Sequence, residues 1–233
     1  MRRLLWVLPV LVLLAVAGWF LLRPGEERPP KVETVEIVAR MPHDSGAFTQ
    51  GLFFDGGQLV ESTGEEGTSG IRKVKLDSGE VTARNNLPSP YFGEGVVRWK
   101  DRLYQLTWKD QKGFIYDATT LAPKGEFAYK GEGWGLTQDG SSIIMSDGTA
   151  VLRFLDPDTM AQKSTLAVTA NGCAVSQLNE LEWIDGEIWA NIWQTDLIAR
   201  IDPKTGKVKR FVDVAALGPV NPGVDEVPNG IAY

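Results

Sequence analysis

Short stretches in which apolar and polar residues alternate recur along the chain after residue 30. Alternation with a period of two is typical of a half-buried β-strand, whereas an amphipathic helix repeats about every 3.6 residues. No helix of ordinary length is indicated in this part of the chain. Tight turns separate the alternating stretches, and turns of this kind indicate β-hairpins. The pattern therefore predicts an all-β domain, with turns at Asp55-Gly56-Gly57, Lys100-Asp101, Asp139-Gly140 and Asp185-Gly186.

The alternating stretches belong to a longer repeat whose start can be aligned five times. The starts are 44, 40, 46 and 49 residues apart, and the second residue is Gly in all but one, where it is Leu181. Three further strands are predicted after each of the first four starts, so each repeat contains four strands. Four strands in each repeat of this length are typical of a propeller blade. The repeat predicts a five-bladed β-propeller rather than a plain β-sandwich. The starts are Gln50-Gly51-Leu52-Phe53-Phe54-Asp55, Glu94-Gly95-Val96-Val97-Arg98-Trp99, Trp134-Gly135-Leu136-Thr137-Gln138-Asp139, Glu180-Leu181-Glu182-Trp183-Ile184-Asp185 and Asn229-Gly230-Ile231-Ala232-Tyr233.

No further predicted strand follows the fifth start in this sequence. We therefore expect the fifth blade to be truncated at the carboxyl terminus. Residues 32–41 contain Val32, Val35, Ile37 and Val38 and could supply one outer strand of that blade to close the ring. An open propeller would expose the edges of its sheets.

The amino terminus differs in composition from the rest of the chain. Leu4 to Leu22 form 19 residues without a charged side chain. A helix of this length, at about 1.5 Å per residue, just reaches across a hydrocarbon core of about 30 Å. We expect residues 1–23 to be an apolar helix that acts as a signal anchor, or else a signal peptide cleaved near Ala15-Val16-Ala17. Residues 24–31 are then a linker, and residues 32–233 the propeller domain.

Charge and composition narrow the functional classes. The net charge of −6 argues against a nucleic-acid partner, and the membrane is expected to be met only through residues 1–23. The chain has one cysteine, Cys173, and one histidine, His43, so a disulfide, a Cys-rich zinc module and a multi-His zinc site are excluded. Acid–base chemistry would therefore depend on carboxylates. We expect an exported monomer that is periplasmic or faces the periplasm from a membrane anchor.

The repeat register predicts where chemistry could take place. The first strand of each propeller blade lines the central channel, so the repeat starts would bring polar and aromatic side chains from different blades to one mouth of that channel. Each residue alone also has a structural explanation as a turn, channel or packing residue. Their convergence favours a functional site. The residues concerned are Gln50, Glu94, Trp134, Asn179, Glu180 and Asn229.

Nine short motifs in matching order resemble the plant- and bacterial-type glutaminyl-peptide cyclotransferases over about residues 35–233. Any one of these motifs is weak, but nine in order are specific. They are Phe48-Thr49-Gln50-Gly51-Leu52, Glu61-Ser62-Thr63-Gly64, Phe92-Gly93-Glu94-Gly95, Leu106-Thr107-Trp108, Gly133-Trp134-Gly135-Leu136-Thr137, Ser146-Asp147-Gly148-Thr149, Leu178-Asn179-Glu180-Leu181-Glu182, Ala190-Asn191-Ile192-Trp193-Gln194-Thr195-Asp196 and Asn229-Gly230-Ile231-Ala232-Tyr233.

The resemblance implies a five-bladed propeller enzyme that converts an amino-terminal Gln of peptides or proteins into pyroglutamate and releases ammonia. It implies that Glu94 is the catalytic acid and base, without a cofactor or metal. Gln50 and Asn179 would hold the reacting carboxamide. Aromatic residues would form the walls of the pocket, namely Phe48, Trp108, Trp134 and Trp193.

The chemistry of this reaction suits such a set of residues. The attacking amine and the carboxamide belong to one molecule, so no covalent nucleophile is needed. An apolar pocket would raise the pKa of the Glu94 carboxyl towards the working range of an acid–base catalyst. Gln50, Asn179 and the indole N–H of Trp193 are candidate donors to the oxyanion.

Two other functions remain open from the sequence. A calcium-dependent propeller lactonase or esterase would use oxygen ligands, for which Glu94, Asn179 and Asn229 are candidates. A non-catalytic propeller would act as an envelope scaffold, because one fold supports many functions.

Overall fold

The computed structural model describes residues 29–218 and 227–233. Within these residues the chain forms nineteen strands and one short 3-10 helix, Ala215–Leu217. The first strand, β1, comprises Lys31–Thr34. The remaining long strands form four antiparallel sheets in which strands adjacent in sequence are also adjacent in space. Each sheet has the arrangement of one propeller blade, so the fold is all-β and propeller-like, with four blades among the described residues.

The strands of the four blades follow the order of the sequence. The first blade contains β2 (Thr49–Asp55), β3 (Gln58–Thr63), β4 (Gly70–Lys75) and β5 (Val81–Asn86). The second contains β6 (Gly93–Trp99), β7 (Arg102–Thr107), β8 (Lys112–Asp117) and β9 (Pro123–Ala128). The third contains β10 (Leu136–Gln138), β11 (Ile143–Met145), β12 (Val151–Leu155) and β13 (Gln162–Ala167). After a hairpin of β14 (Thr169–Ala170) and β15 (Cys173–Ala174), the fourth contains β16 (Leu178–Ile184), β17 (Glu187–Ile192), β18 (Leu197–Ile201) and β19 (Val208–Asp213).

The hydrophobic core lies between neighbouring blades. Leu103 of the second blade packs in one cluster with Val60 of the first. Tyr104 and Ile143 join the second blade to the third, and Ile144 and Leu181 join the third to the fourth. Because Leu103 and Tyr104 are consecutive in β7, their side chains point to opposite faces of the sheet. This alternation explains why each inner blade packs against a neighbour on both of its faces.

The repeated glycine lies where the inner strands of neighbouring blades approach each other. A Cβ atom added at Gly51 would lie 2.6 Å from the backbone nitrogen of Val96, and one added at Gly95 would lie 2.6 Å from that of Leu136. A Cβ at Gly135 would overlap the carbonyl oxygen of Asn179. Real Cβ atoms do not approach other atoms this closely, so a side chain here would force the blades apart.

The fifth repeat start lies between the fourth blade and the first. Asn229 Nδ2 donates to the Thr49 carbonyl oxygen at 3.0 Å, and the Ile231 amide donates to Glu180 Oε2 at 2.9 Å. Residues 229–233 therefore bridge β2 and β16, although they are not part of a strand.

The prediction that residues 32–41 form an outer strand of a fifth blade is wrong. β1 instead pairs in parallel with β19, from Lys31 opposite Arg210 to Thr34 opposite Asp213, and becomes the outer strand of the fourth blade. Glu33 stabilises this position through ion pairs with Arg210 at 2.6 Å and Arg200 at 3.2 Å. The backbone pairing and these charges explain the observed choice of edge.

The predicted apolar helix of residues 1–23 lies outside the described residues. Among the residues described, no helix has the length and apolar character needed to cross a membrane.

Candidate active site

A cavity of about 260 Å³ opens at one end of the inner strands and brings together the seven site residues that the family resemblance implies. Their side chains come from all four blades. Of the six residues that the repeat register was expected to bring together, Gln50, Glu94, Trp134 and Asn179 line this cavity, whereas Glu180 and Asn229 do not. The lining also includes two residues that the sequence did not single out, Glu65 and Phe92. The full lining is Phe48, Gln50, Glu65, Phe92, Glu94, Trp108, Trp134, Asn179 and Trp193.

The three polar residues that were predicted for the site lie at irregularities of strand pairing. The β2–β3 register shifts between Thr49 and Gly51, which flank Gln50. Similar shifts occur in β6 around Glu94 and in β16 around Asn179. A bulge of this kind changes the direction of a side chain and is frequent beside active sites. The irregular pairing thus accounts for the exposure of these side chains to the cavity from otherwise buried inner strands.

Hydroxyl groups of the second strands hold the backbone at two of these positions. Ser62 Oγ donates to the carbonyl oxygen of Glu94 in the next blade. Ser146 Oγ donates to the Asn179 carbonyl oxygen at 2.6 Å and accepts from the Gly135 amide at 2.7 Å. Each serine therefore fixes the inner strand of the following blade from inside the core.

Glu94 is 5% exposed and has no cationic partner among the described residues. Burial raises the pKa of its carboxyl well above the usual range, and the negative charge of Glu132 raises it further. The direction agrees with the expectation for a carboxyl in an apolar pocket. The raised pKa brings the proton affinity of this carboxyl closer to that of an amine.

Two amide side chains present free polar atoms to the cavity. Gln50 Oε1 accepts a hydrogen bond from Asn229 Nδ2 at 2.7 Å, which leaves Gln50 Nε2 as a donor. Asn179 is 5% exposed, and its Oδ1 is buried without a hydrogen-bond partner among the described residues. A buried polar atom without a hydrogen-bond partner destabilises the fold. A ligand N–H or O–H group that donates to Asn179 Oδ1 would supply the missing hydrogen bond.

Aromatic rings in edge-on and tilted contacts form the walls. The centroids of Phe48 and Phe92 are 5.9 Å apart, and those of Phe92 and Trp108 are 5.8 Å apart. Trp134 and Trp193 meet edge to face at 5.6 Å. These contacts leave an apolar space with little freedom for the rings to rearrange.

Glycines beneath the walls make room for the rings. A Cβ atom added at Gly64 would lie 2.5 Å from Cε1 of Phe92. One added at Gly148 would lie 2.7 Å from the indole of Trp134, and Gly148 also has a φ of +77° that side-chain-bearing residues rarely adopt. Both positions therefore require glycine for packing.

Glu132 is a residue of this site that sequence reasoning missed. Its Oε2 accepts hydrogen bonds from Trp108 Nε1 at 2.8 Å and Trp134 Nε1 at 2.9 Å. A sequence signal did exist, because Glu132 lies two residues before the third repeat start. Phe48 and Phe92 lie two residues before the first and second starts, so the register places all three beside the channel mouth.

A larger cavity of about 450 Å³ lies at the opposite end of the inner strands. Its lining includes Trp99, Thr137 and Glu182, and none of the predicted site residues. Burial raises the pKa of Glu182 to about 7. The smaller cavity is the candidate site, because it combines a buried carboxyl, free amide groups and aromatic walls.

The arrangement can bind a compact polar group and move a proton. None of the described residues that line the smaller cavity is Ser, Thr, Cys, His or Lys, so the lining offers a carboxyl for proton transfer rather than a covalent nucleophile of those types. In the part of the chain that the structure describes, no three or more His, Cys, Asp or Glu residues are grouped to hold a metal ion.

Comparison with known proteins gives one consistent family. The glutamine cyclotransferase family profile matches residues 10–233. A curated relative, glutaminyl-peptide cyclotransferase of Arabidopsis thaliana, is 42% identical over 210 residues. That match covers 87% of this chain but 65% of the relative, so the chain spans slightly less than two thirds of the relative's length.

Solved structures agree with the fold. The crystal structure of Myxococcus xanthus glutaminyl cyclase is 36% identical, with a TM-score of 0.80, and the match covers 87% of this chain and 88% of that one. The WD40 β-propeller domain of Doa1 is 10% identical with a TM-score of 0.50 over 70% of this chain and 53% of its own, a similarity of fold alone.

Proposed function

Because the chain belongs to the glutamine cyclotransferase family, we propose that it is a glutaminyl-peptide cyclotransferase. This acyltransferase would convert the amino-terminal glutamine of a peptide or protein into pyroglutamate and release ammonia. The observation that carries the proposal is the buried Glu94 carboxyl, which faces an aromatic cavity together with two amide side chains.

The reaction requires the α-amine to be neutral when it attacks. An α-amine has a pKa near 8, so much of the substrate binds as an ammonium ion. Glu94 would accept the ammonium proton, and the raised pKa of its carboxyl brings the two groups closer in proton affinity. The α-nitrogen then attacks the side-chain carboxamide carbon, and a new C–N bond forms.

The same carboxyl would complete the reaction. The bond from the carboxamide carbon to its amide nitrogen breaks, and that nitrogen takes the proton from Glu94 and leaves as ammonia. The ring nitrogen then still carries one hydrogen more than a lactam N–H, and the regenerated Glu94 carboxylate would take this proton and pass it to the released ammonia, which departs as ammonium. We therefore propose a metal-independent mechanism.

Donors around the cavity would stabilise the oxyanion of the tetrahedral intermediate. Gln50 Nε2 is free because Asn229 occupies the other end of that amide. Trp193 Nε1 makes no hydrogen bond among the described residues, whereas the N–H of Trp108 and of Trp134 is engaged with Glu132. One well-placed donor contributes about 3 kcal/mol to such a transition state. Asn179 Oδ1 would instead accept an N–H of the substrate.

The aromatic walls would hold the glutamine side chain folded back on its own amine. Fixing two reacting groups in this way can lower a barrier by about 7 kcal/mol or more. An apolar wall also excludes the water that would otherwise solvate Glu94 and return its pKa towards the usual range.

The test is ammonia release from a short peptide with amino-terminal Gln, with and without a chelator. We expect chelator-resistant release that Glu94→Gln abolishes. Glu180→Gln is the matched control, because Glu180 is equally buried but accepts from the Leu52 and Ile231 amides rather than facing the cavity. Full activity of folded Glu94→Gln would refute its role. Loss of activity on chelation, with lactone hydrolysis, would instead favour the calcium-dependent alternative.

We infer a fifth blade, supported by the position of residues 229–233 between β16 and β2. We also propose that residues 1–23 direct export and leave the domain periplasmic or anchored facing the periplasm. Cell fractionation with the intact mass of the protein tests this, and a cytosolic full-length form would contradict it.

A further inference from the structure

One carboxylate oxygen joins two walls of the cavity without lining the cavity itself. Trp108 follows β7 of the second blade, and Trp134 precedes β10 of the third. Glu132 Oε2 accepts both indole N–H groups, at 2.8 Å and 2.9 Å. We propose that Glu132 is a positioning residue that fixes the spacing and tilt of these two walls around the substrate. This inference rests on the proposed cyclotransferase function.

The loop that contains Glu132 is itself held in place. Arg153 donates from Nη2 to the Glu132 carbonyl oxygen at 3.0 Å and from Nη1 to the Lys130 carbonyl oxygen at 2.6 Å. The same guanidinium pairs with Asp147 at 3.0 Å. Arg153 thus binds the backbone of the loop but not the Glu132 carboxylate. The carboxylate is therefore committed to the two indoles, and no described cation neutralises it.

Hydrogen bonds to a charged acceptor are about twice as strong as neutral ones. Two such bonds from different blades restrain ring rotation in a way that stacking alone does not. They also turn both N–H groups away from the cavity, so Trp108 and Trp134 present apolar surface to a ligand. Trp193 keeps its N–H free, and Glu132 thereby divides the three indoles into two walls and one donor.

The charge of Glu132 also acts on Glu94. Burial is the main cause of the raised pKa of Glu94, and Glu132 is the next. The titratable and charged groups around these walls include Tyr129, whose own raised pKa includes an effect of the Glu94 charge, and Glu65 in the cavity lining. The ammonium of Lys109 lies 3.5 Å from the centroid of the Trp108 ring, and among the described residues it forms an ion pair with neither Glu94 nor Glu132. Removing the Glu132 charge should therefore lower the pKa of Glu94 and move the acid limb of the pH profile to lower pH.

The experiment compares Glu132→Gln, Glu132→Ala and wild type in the full chain. Gln keeps an oxygen acceptor for the indoles but removes the charge, whereas Ala removes both. We measure kcat/KM against pH for a Gln-peptide, and the indole N–H resonances of ¹⁵N-tryptophan-labelled protein. Glu126→Gln, on the exposed outer strand β9, is the control for the same substitution elsewhere.

We expect the acid limb of the Glu132→Gln profile to lie at lower pH than that of wild type, because a nearby like charge is lost. Glu132→Ala should lower kcat/KM by about 10²-fold, as misplacing a bound group by 1 Å does. The N–H resonances of Trp108 and Trp134 should move in both variants, whereas that of Trp193 should stay. Unchanged profiles and resonances in Glu132→Gln would overturn the proposal, even if Glu132→Ala fails to fold. Absence of ammonia release by wild type would instead refute the cyclotransferase function, and the resonances would still report on the indoles.

Discussion

A buried ion pair behind the inner strand of the first blade gives a sharp prediction for stability. The Glu61 side chain is fully buried, and Arg72 Nε contacts its Oε2 at 2.6 Å. Thr49 Oγ1 donates to the other oxygen at 2.6 Å, and His43 Nε2 lies 3.0 Å from it. Asp44 pairs with the remaining side of Arg72 at 2.8 Å. We predict that Arg72→Met lowers the free energy of unfolding by about 3 to 5 kcal/mol at pH 7, since it leaves a buried charge without its partner.

The pH dependence of this loss has a definite sign. Burial raises the pKa of Glu61, but hydrogen bonds from His43, Thr49 and Arg72 outweigh burial and hold the pKa below its usual range. A lowered folded-state pKa stabilises the fold above the unfolded pKa of about 4.3, and this stabilisation is lost as pH falls through the folded value. When Arg72 is removed, the effect of burial is opposed by fewer hydrogen bonds and no adjacent positive charge, so the pKa of Glu61 rises. The difference between wild type and variant should therefore be largest near pH 7 and shrink towards pH 4.

Urea unfolding followed by tryptophan fluorescence, at several pH values between 4 and 7, measures both effects. Lys75→Met is the control, because it removes an ion pair with Glu80 in which both side chains are about half exposed. Such surface pairs contribute about 1 kcal/mol or less. The reasoning is refuted if Arg72→Met costs no more than Lys75→Met at pH 7. It is also refuted if the loss is independent of pH.

Three further variants test the walls and supports of the cavity. Trp193→Phe removes a free indole N–H, and steady-state kinetics should show kcat reduced by about 10²-fold with little change in KM, since one oxyanion donor is lost; an unchanged kcat would contradict this. Gly64→Ala pushes against the Phe92 ring, and urea unfolding should show a loss of about 1 to 3 kcal/mol together with a raised KM. Ser146→Ala leaves two backbone groups unpaired, including the Asn179 carbonyl, and should cost about 2 to 4 kcal/mol by the same unfolding assay.

Much of the fold could be predicted because its determinants are local. Turn residues and period-two alternation locate the strands, and each of the four predicted turns separates the first strand of a blade from the second. The repeated glycine located the inner strands, although the sequence alone does not reveal its reason. That reason is the close approach of one blade to the next at Gly51, Gly95 and Gly135.

The pairing of β1 could not be predicted in the same way. Alternation shows that a segment suits a strand but not which sheet edge it will join. In β1 the apolar Val32 remains 58% exposed, so burial does not decide the pairing. Ion pairs of Glu33 with Arg200 and Arg210 contribute to it, and those residues are more than 160 positions away in the chain.

Some residues of the candidate site could be predicted from the sequence and others could not. Residues at the repeat starts were predictable because the register alone brings them to the channel. Glu132 was not, because its role depends on two indoles of different blades pointing their N–H groups at one oxygen. Glu65 comes from a loop outside the repeat starts, where a φ of +77° turns the backbone beside the cavity. The repeat register places Glu132 beside the channel mouth, but it does not show which groups the Glu132 carboxylate binds, and it does not locate Glu65.

Structural and chemical requirements coincide at the repeat starts. The glycine that allows one blade to approach the next follows directly after the residue that faces the cavity, as in Gln50-Gly51 and Glu94-Gly95. Irregular pairing at the same place redirects that preceding side chain towards the channel. In the fourth blade Leu181 replaces the glycine, and the cavity-lining residue is Asn179, one position earlier in the register. Glu180 therefore does not line the cavity. Its carboxylate accepts hydrogen bonds from the backbone amides of Leu52 in the first blade and of Ile231 in residues 229–233. At this start the Asn179 side chain lines the cavity, and the Glu180 carboxylate supports the backbone of the first blade and of residues 229–233.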